Sequence, residues 1–495
     1  MKKLLAGAIT VAAIGSIVAA CGSEDGGGDI VEVTKGTVIQ NVTVVNTRDG
    51  SLAPGRSVVL EGGKIKAIDA AGKYMVPGYL DMHAHTVAFA DSQPTYWPLL
   101  IANGVTGIRE MSGSATAIQR VRKLNTDSAA GVVDAPEILQ IPGDLFRGQN
   151  TTAATTVQFV QQQKAAGADL FKIVAGNREA GLAGLAESKI QGLGVAGHLV
   201  PAVSALESSN AGWQAIEHLG AGWGLILDRA TDEVAIRNDV LSGKGATGPF
   251  PATNTLNPRI YDGTLNAQFY QRIINTYSDA KCQALTQAFV KNVTWQVPTL
   301  IRLRTQVYGD DPLYRADPNL IYLDKTTRAL WEQLGKDFTS TLPATAVATL
   351  RQFYPLQQKV TKMMKQSGVK MLAGSDLGGI WVIPGFGLHQ EFRELAASGL
   401  SPLEILQMTT LNGAEFMKRE ASMGTVDAGK NADLVLLDAN PIDDAANLSK
   451  ISAVVLKGKY FSKSALEKLK SEVADAYASQ PLKALASAID SSHID

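Results

Sequence analysis

Two histidines set two positions apart, His83 and His85, follow the run Val76-Pro77-Gly78-Tyr79-Leu80-Asp81-Met82. On a β-strand, residues i and i+2 project from one face, so both imidazoles can reach one metal ion from a rigid support. A bare His-x-His is a weak signal, because most histidines are surface or satisfied core residues. The other residues with ligand or acid–base chemistry strengthen it. Of six histidines in the chain, His198 and His218 also close short apolar runs, as does Asp376 in Ala373-Gly374-Ser375-Asp376. Lys172 lies within the apolar run Ala168-Asp169-Leu170-Phe171-Lys172-Ile173-Val174. The remaining histidines are His389, at a helix start, and His493, in the C-terminal tail. The two cysteines, Cys21 and Cys282, exclude a disulfide-rich scaffold and an all-cysteine zinc site. A metal here is therefore held by His, carboxylate or modified Lys.

Residues so far apart in sequence need a scaffold that gathers them. Between Pro77 and Lys418, apolar β runs alternate with helical stretches such as Thr152–Ala166 and Phe386–Ser398. Eight strand candidates can be counted: Tyr79–His85, Val105–Glu110, Glu137–Ile141, Asp169–Val174, Val195–Leu199, Ala215–Leu219, Thr294–Thr299 and Lys370–Asp376. Eight βα units predict a (β/α)8 TIM barrel over residues 77–418. In such a barrel the C-terminal strand ends carry the chemistry. Those ends here supply His83, His85, Lys172, His198, His218 and Asp376. The span 220–293 is too long for one connection and predicts a helical excursion, with Asn254–Thr264 as an irregular loop. A doubly wound open sheet is the runner-up fold, but no glycine-rich dinucleotide turn follows the early strands.

Residues 30–76 read as short strands, with a hairpin signal at Glu61-Gly62-Gly63. They lack the mass for their own core. Asn431–Asp438 and Ile451–Gly458 carry the same pattern, so residues 30–76 and 419–463 are expected to form one composite β-sandwich. Residues 464–495 form a helical tail.

Residues 1–21 are a targeting segment: Lys2 and Lys3, an apolar run from Leu4 to Val18, then Val18-Ala19-Ala20-Cys21. The last four resemble the lipobox of bacterial lipoproteins, in which the cysteine is lipidated; an ordinary cleaved signal is the alternative. Residues 22–29 follow as a flexible tether. The expectation is export and lipid anchoring to a bacterial membrane, on the periplasmic or cell-surface side, with the lipid as the only membrane contact. A net charge of −1 gives no basis for nucleic-acid binding or a polybasic membrane patch. With Cys21 consumed, Cys282 has no partner and reads as structural.

Pro77-Gly78-x-x-Asp81-x-His83-x-His85, with Lys172, His198, His218 and Asp376 in that order, resembles the amidohydrolase superfamily. Asn103–Arg109, Ile216-Glu217-His218, Ala373–Asp376 and Ala432–Pro441 are similar to its imidazolonepropionase-like and Xaa-Pro dipeptidase (prolidase-like) branch. The resemblance covers essentially the whole chain after Asp29. It implies two divalent metal ions, zinc by ligand type. His83, His85 and Asp376 would bind the first and His198 and His218 the second. Lys172 would bridge them once CO2 has turned its amine into a carbamate. Two such ions share a hydroxide that attacks a carbonyl, with Asp376 relaying its proton to the leaving amine.

The implied function is hydrolysis of a carbon–nitrogen bond in a small substrate, such as an Xaa-Pro dipeptide or an N-acyl amino acid. The alternative is a mononuclear cyclic-amide hydrolase or deaminase, with Lys172 a plain charged residue. A metal-free binding protein would lack ligands, and none is missing. Candidates for holding a substrate carboxylate are Arg109, Arg147, Arg302 and Arg304; otherwise Arg109 pairs with Glu110 or Asp81, and Arg302 and Arg304 are solvated. Asp81 reads equally as an acid supporting the ligands and as a structural residue, and His218 could play a supporting part. Asp433 belongs to the sandwich. Two departures from the branch stand out: Ile65–Gly78 is short, and residues 220–293 could roof the site. Oligomeric state is not legible.

Overall fold

The computed structural model describes residues 36–62, 64–70, 73–87, 93–244, 256–261 and 264–481. The targeting segment, the tether, Cys21 and His493 lie outside them. Among the described residues no helix is long and apolar enough to cross a membrane. The chain opens with β1 (Thr37–Val45), β2 (Leu52–Glu61), β3 (Lys64–Ala70) and β4 (Tyr74–Pro77). A long α/β region follows with β5 (Tyr79–Ala84), β6 (Val105–Glu110), β7 (Glu137–Gln140), β8 (Phe146–Gly148), β9 (Leu170–Gly176), β10 (Gly194–Gly197), β11 (Ala215–Glu217) and β12 (Trp295–Val297). The last strands are β13 (Leu434–Leu437), β14 (Ile451–Leu456) and β15 (Lys459–Ser462).

Both chain ends enter one seven-stranded sheet, in the order β15-β14-β13-β4-β1-β2-β3. The β-branched Val42-Thr43-Val44-Val45 run suits a pleated, half-buried surface. β4 is the join: it runs parallel to β1 and antiparallel to β13, where Leu434 faces Pro77. Val42, Val44, Val58 and Leu60 from the beginning of the chain share a core with Leu434, Leu436, Ala453 and Val455 from its end. Burial of each of these valine and leucine side chains contributes about 2 kcal/mol.

The parallel strands form two curled sheets, β5-β6-β7 and β8-β9-β10-β11-β12. At one junction Asp169 N donates to Ile141 O at 2.9 Å, and Pro142 bridges Leu170. At the other, the segment 370–377 bonds on both sides. Leu372 N donates to Gln296 O and Met82 N to Ala373 O, each at 2.9 Å. The expected strand Lys370–Asp376 is thus present only as isolated bridges at Met371 and Leu377. Its ladder breaks because Ser375 N bonds to the Asp81 side chain and Asp376 turns left-handed, at φ 52°. Strands six and seven are likewise shorter than predicted, ending at Glu217 and Val297, and β8 was not foreseen.

β5, β7, β9, β10 and β11 each feed two cores, as strands covered on both faces must. Leu80, Met82, Leu170, Ala196, Ala215, Trp295 and Leu372 pack on the inside. Phe171, Ile173, Val195 and Ile216 pack outwards among the helices. Leu170 inside and Phe171 and Ile173 outside leave Lys172 facing inwards, by the two-residue period. The excursion after β11 is helical among its described residues, with Gly224–Leu227, Glu233–Leu241, Thr264–Thr276 and Asp279–Asn292. Of the expected loop Asn254–Thr264, residues 258–261 form a 3-10 turn. Cys282 is buried in this excursion, its sulfur accepting from Arg229 Nε at 2.9 Å.

Candidate metal centre

The C-terminal ends of β5, β10 and β11, the inward face of β9 and the segment before Leu377 converge. His83 Nε2 lies 3.4 Å and His85 Nε2 3.1 Å from the same oxygen, Asp376 Oδ1. His218 Nε2 approaches the other, Oδ2, at 3.8 Å. The imidazoles form a chain, with ring centres 5.3 Å apart for His85–His83, 4.4 Å for His83–His218 and 5.3 Å for His218–His198. Lys172, with 0% exposure, acts electrostatically on both His83 and Glu217. The structure therefore gathers the six residues expected at the strand ends.

Three of the rings are turned by specific partners. His83 Nδ1 donates to Glu217 Oε2 at 2.7 Å, which leaves a lone pair on Nε2. His85 Nδ1 meets Ser112 Oγ at 2.7 Å. Thr299 Oγ1 gives its own proton to Pro298 O, so it accepts from His218 Nδ1 and again leaves Nε2 basic. This is the outer-shell arrangement that orients metal-ligating imidazoles. The buried Nε2 of His83 makes no hydrogen bond. Ligand bonds of about 2.0–2.2 Å at tetrahedral angles put neighbouring donors about 3.3 Å apart. The 3.4 and 3.1 Å separations of His83 Nε2 and His85 Nε2 from Asp376 Oδ1 match that spacing, and the three donor atoms lie within 4.8 Å of one another.

The backbone beneath is strained where the ligands sit. His218, Thr299 and Asp376 all have positive φ, at 50°, 44° and 52°. After β11 the chain makes a left-handed turn through His218, Leu219, Gly220, Ala221 and Gly222. Each non-glycine residue in this conformation costs on the order of 1–2 kcal/mol, a strain that clusters at functional sites. Asp81 stitches the site together, accepting from Ser375 N at 2.9 Å, Ser375 Oγ at 2.5 Å and His83 N at 3.2 Å. Of the two roles weighed for Asp81, its contacts fit the structural one.

Electrostatics keep the candidate ligands in the forms that could bind a metal. Burial pushes His83 and His218 well below the ordinary imidazole range, so both are neutral. Burial alone would raise Asp376, but its close contacts with the imidazoles, the hydrogen bond from His85 among them, and the charge of Arg302 outweigh it and hold the carboxyl well below its usual range. Burial raises Glu217 against the pull of Arg109.

The arginines divide. Arg109, buried, places Nη2 2.6 Å from Glu217 Oε1 and Nε 2.7 Å from Met82 O. It pairs with Glu217, not with Glu110 or Asp81 as the simpler expectation had it, because Glu110 instead accepts from Thr86 N at 2.7 Å and Val87 N at 2.9 Å. Arg302 is buried rather than solvated; its Nε donates to Asp376 Oδ2 at 3.0 Å. Arg304 is held by Tyr314, Asp311 and Glu394, and Arg147 is exposed on β8. His389 lies within the helix Phe386–Ala397, its Nε2 3.0 Å from Asn103 O. On the same helix the buried Glu391 accepts from Ile301 N at 2.8 Å, at the start of the helix Leu300–Val307 that carries Arg302. Sequence reasoning missed Glu217, Ser112, Thr299, Glu110 and Glu391 as supports. Only Glu217, adjacent to His218, offered a signal.

Gly374 is the packing pivot. A Cβ there would stand 2.7 Å from His83 Cβ and 2.8 Å from His83 N. Gly374→Ala is expected to cost about 1–3 kcal/mol through overpacking and to lower metal content by displacing His83. Metal analysis with a thermal melt checks this; wild-type metal content and melting temperature would refute it.

Residues 346–460 match the amidohydrolase family. No curated protein matches the chain in sequence. Among solved structures, a bottromycin amidohydrolase is similar over 89% of this chain and 90% of its own, with a TM-score of 0.67 and 18% identity. A Xaa-Pro dipeptidase with bound methionine in the active site is similar over 86% of this chain and 100% of its own, with a TM-score of 0.58 and 17% identity. A prolidase complexed with N-methylphosphonate-L-proline is similar over 86% of this chain and 99% of its own, with a TM-score of 0.57 and 18% identity. At these identities the structures speak for the fold alone, while the sequence match over residues 346–460 speaks for the family. The chain thus carries a match to the amidohydrolase family over residues 346–460, and its fold is similar to that of solved amidohydrolases.

Proposed function

We propose that this chain is a metal-dependent hydrolase of amide or peptide bonds in small substrates, Xaa-Pro dipeptides or N-acyl amino acids among them. The observation that carries the metal is the convergence of His83 Nε2 and His85 Nε2 on Asp376 Oδ1, with the His83 nitrogen buried and making no hydrogen bond. His83, His85 and Asp376 would hold one ion, His198 and His218 a second, and Lys172, as a CO2-derived carbamate, would lie between them. When bound, the ions supply positive charge that polarises the substrate carbonyl and acidifies water. Asp376 accepts a proton and passes it to the leaving nitrogen. Arg302, on Asp376 Oδ2, keeps that carboxylate ionised between turnovers. Glu217 and Thr299 hold His83 and His218 in the ligating tautomer, and Ser112 orients His85.

The compact group of His83, His85 and Asp376 also suits a one-metal reading, closer to cyclic-amide hydrolases or deaminases. The dipeptide reading draws on the fold likeness to the dipeptidase and the prolidase. Arg147, exposed on β8, remains the candidate to meet a substrate carboxylate; Arg109, Arg302 and Arg304 already carry carboxylate partners. On architecture, we take the curled parallel sheets with the segment 370–377 as a (β/α)8 barrel over residues 77–418. The seven-stranded sheet is taken as the sandwich of residues 30–76 and 419–463. Purified protein loaded with zinc should be screened on Xaa-Pro and other dipeptides, N-acyl amino acids and cyclic amides. Chelator-sensitive hydrolysis of at least one amide is expected, and turnover of none would sink the reading.

The N-terminus is proposed to be lipidated at Cys21 after removal of residues 1–20, anchoring the enzyme to an exported face of a bacterial membrane. Its Ala19-Ala20-Cys21 sequence supports this. Cys21→Ser should release the protein from the membrane fraction; persistent membrane association would count against it.

A further inference from the structure

Beside His198, beyond the ends of β9, β10 and β11, the chain lines a partly open pocket of about 110 Å³. Its walls are Val174 and Ala175 from β9, Val200 and Val203 from the loop after His198, and Trp223 and Leu227 from the excursion. One charged side chain, Arg237, touches it, and that guanidinium is spent on Asp228, Glu233 and the carbonyl of Pro201. The remaining wall is the left-handed turn after His218. It is fixed from behind by Gln357 Nε2, which donates to Gly222 O at 2.6 Å, and by Arg259 Nη2, which donates to Ala221 O at 3.2 Å. The cavity is therefore apolar, rigid and bordered by a residue of the candidate metal centre.

We infer that this cavity receives an uncharged aliphatic side chain of the substrate, of the size of valine, leucine, methionine or proline, next to the bond that is cut. This rests on the proposed amide hydrolysis and adds a substrate class to it. The lining offers no free charge to a carboxylate or ammonium, and an unpaired charge moved into such surroundings pays its full desolvation. Size sets the other limit. An apolar cavity of about 150 Å³ is known to admit benzene, so a slightly smaller one takes a branched aliphatic group and excludes an indole. Trp223, half-buried, forms a flat wall against which a pyrrolidine or thioether can lie.

Ala175, half-buried on β9, is the place to test it. Ala175→Leu fills the cavity from the strand without altering a ligand. With zinc-loaded enzyme, wild type is expected to favour leucyl, methionyl or prolyl substrates over aspartyl and lysyl ones by at least about tenfold in kcat/KM. Ala175→Leu should lose at least about tenfold on those aliphatic substrates, mainly through KM, while glycyl substrates stay within about threefold. An equal loss on glycyl and leucyl substrates, or a wild-type preference for charged side chains, would overturn the inference. Calorimetric titration of zinc-loaded protein with N-acetyl-leucine and N-acetyl-aspartate separates it from the hydrolysis itself. Preferential binding of the leucine compound, lost in Ala175→Leu, would uphold the pocket even if no amide were turned over. Equal binding of both would overturn it.

Discussion

Asp376→Asn is expected to lower kcat about a thousandfold while leaving the fold intact. Asparagine matches aspartate in size and is, with aspartate, among the few residues that tolerate the left-handed backbone found here at φ 52°. The contacts of Oδ1 with His83 and His85 can survive through the amide oxygen. What is lost is the negative charge, which the Arg302 guanidinium helps to hold ionised, and with it the proton acceptor. Metal affinity should fall but not vanish, since His83 and His85 keep their orienting partners. The measurement is kcat on the best substrate of the screen, with metal content determined on the same preparation. Unchanged turnover would remove Asp376 from proton transfer.

Lys172→Ala should have the second largest effect. The wild-type protein is expected to bind two ions per chain and the variant one, with kcat down by about a hundredfold or more. Lys172 is fully buried on the inward face of β9, opposite Ala196 on β10. A buried ammonium beside neutral imidazoles has no ligating lone pair, whereas a carbamate has two oxygens. Elemental analysis of both proteins decides. One ion per chain in wild type, together with full activity in the variant, would end the two-metal reading and leave His83, His85 and Asp376 as a single-ion site.

The residues gathered at the site were legible because their chemistry is local. Four imidazoles, a lysine and a carboxylate in or closing apolar runs mark strands, and six of them in order mark one face of one scaffold. The partnership of the two chain ends was legible for a similar reason: short alternating strands without a core need a partner, and β4 against β13 supplies it. What escaped belongs to tertiary contact. Ser112 lies 27 positions from His85 and Glu217 134 from His83, so no periodicity links them. The left-handed residues escaped because His218, Thr299 and Asp376 are not glycine; intrinsic preference argues against the conformation they adopt. That mismatch also shortened the expected strands, since β11 ends where His218 turns and the segment 370–377 never becomes a ladder.

Glu391 links the site to solvent protons at a distance. Burial pushes its carboxyl up to about 8, against the pull of hydrogen bonds from Ile301 and Leu300 N–H. The folded protein therefore retains a proton that the unfolded chain, with a carboxyl near its ordinary value, releases. Stability from this group is fully present below the unfolded value and is lost as pH rises through about 8. Glu391→Gln keeps an acceptor for Ile301 N and cannot ionise. The difference in melting temperature, variant minus wild type, should rise between pH 5 and pH 8 and then level off; a pH-independent difference would refute it. The first element to loosen in alkali is expected to be the start of the helix Leu300–Val307, which carries Arg302 to Asp376. Alkaline loss of activity would then be a local unlatching of that helix, ahead of global unfolding.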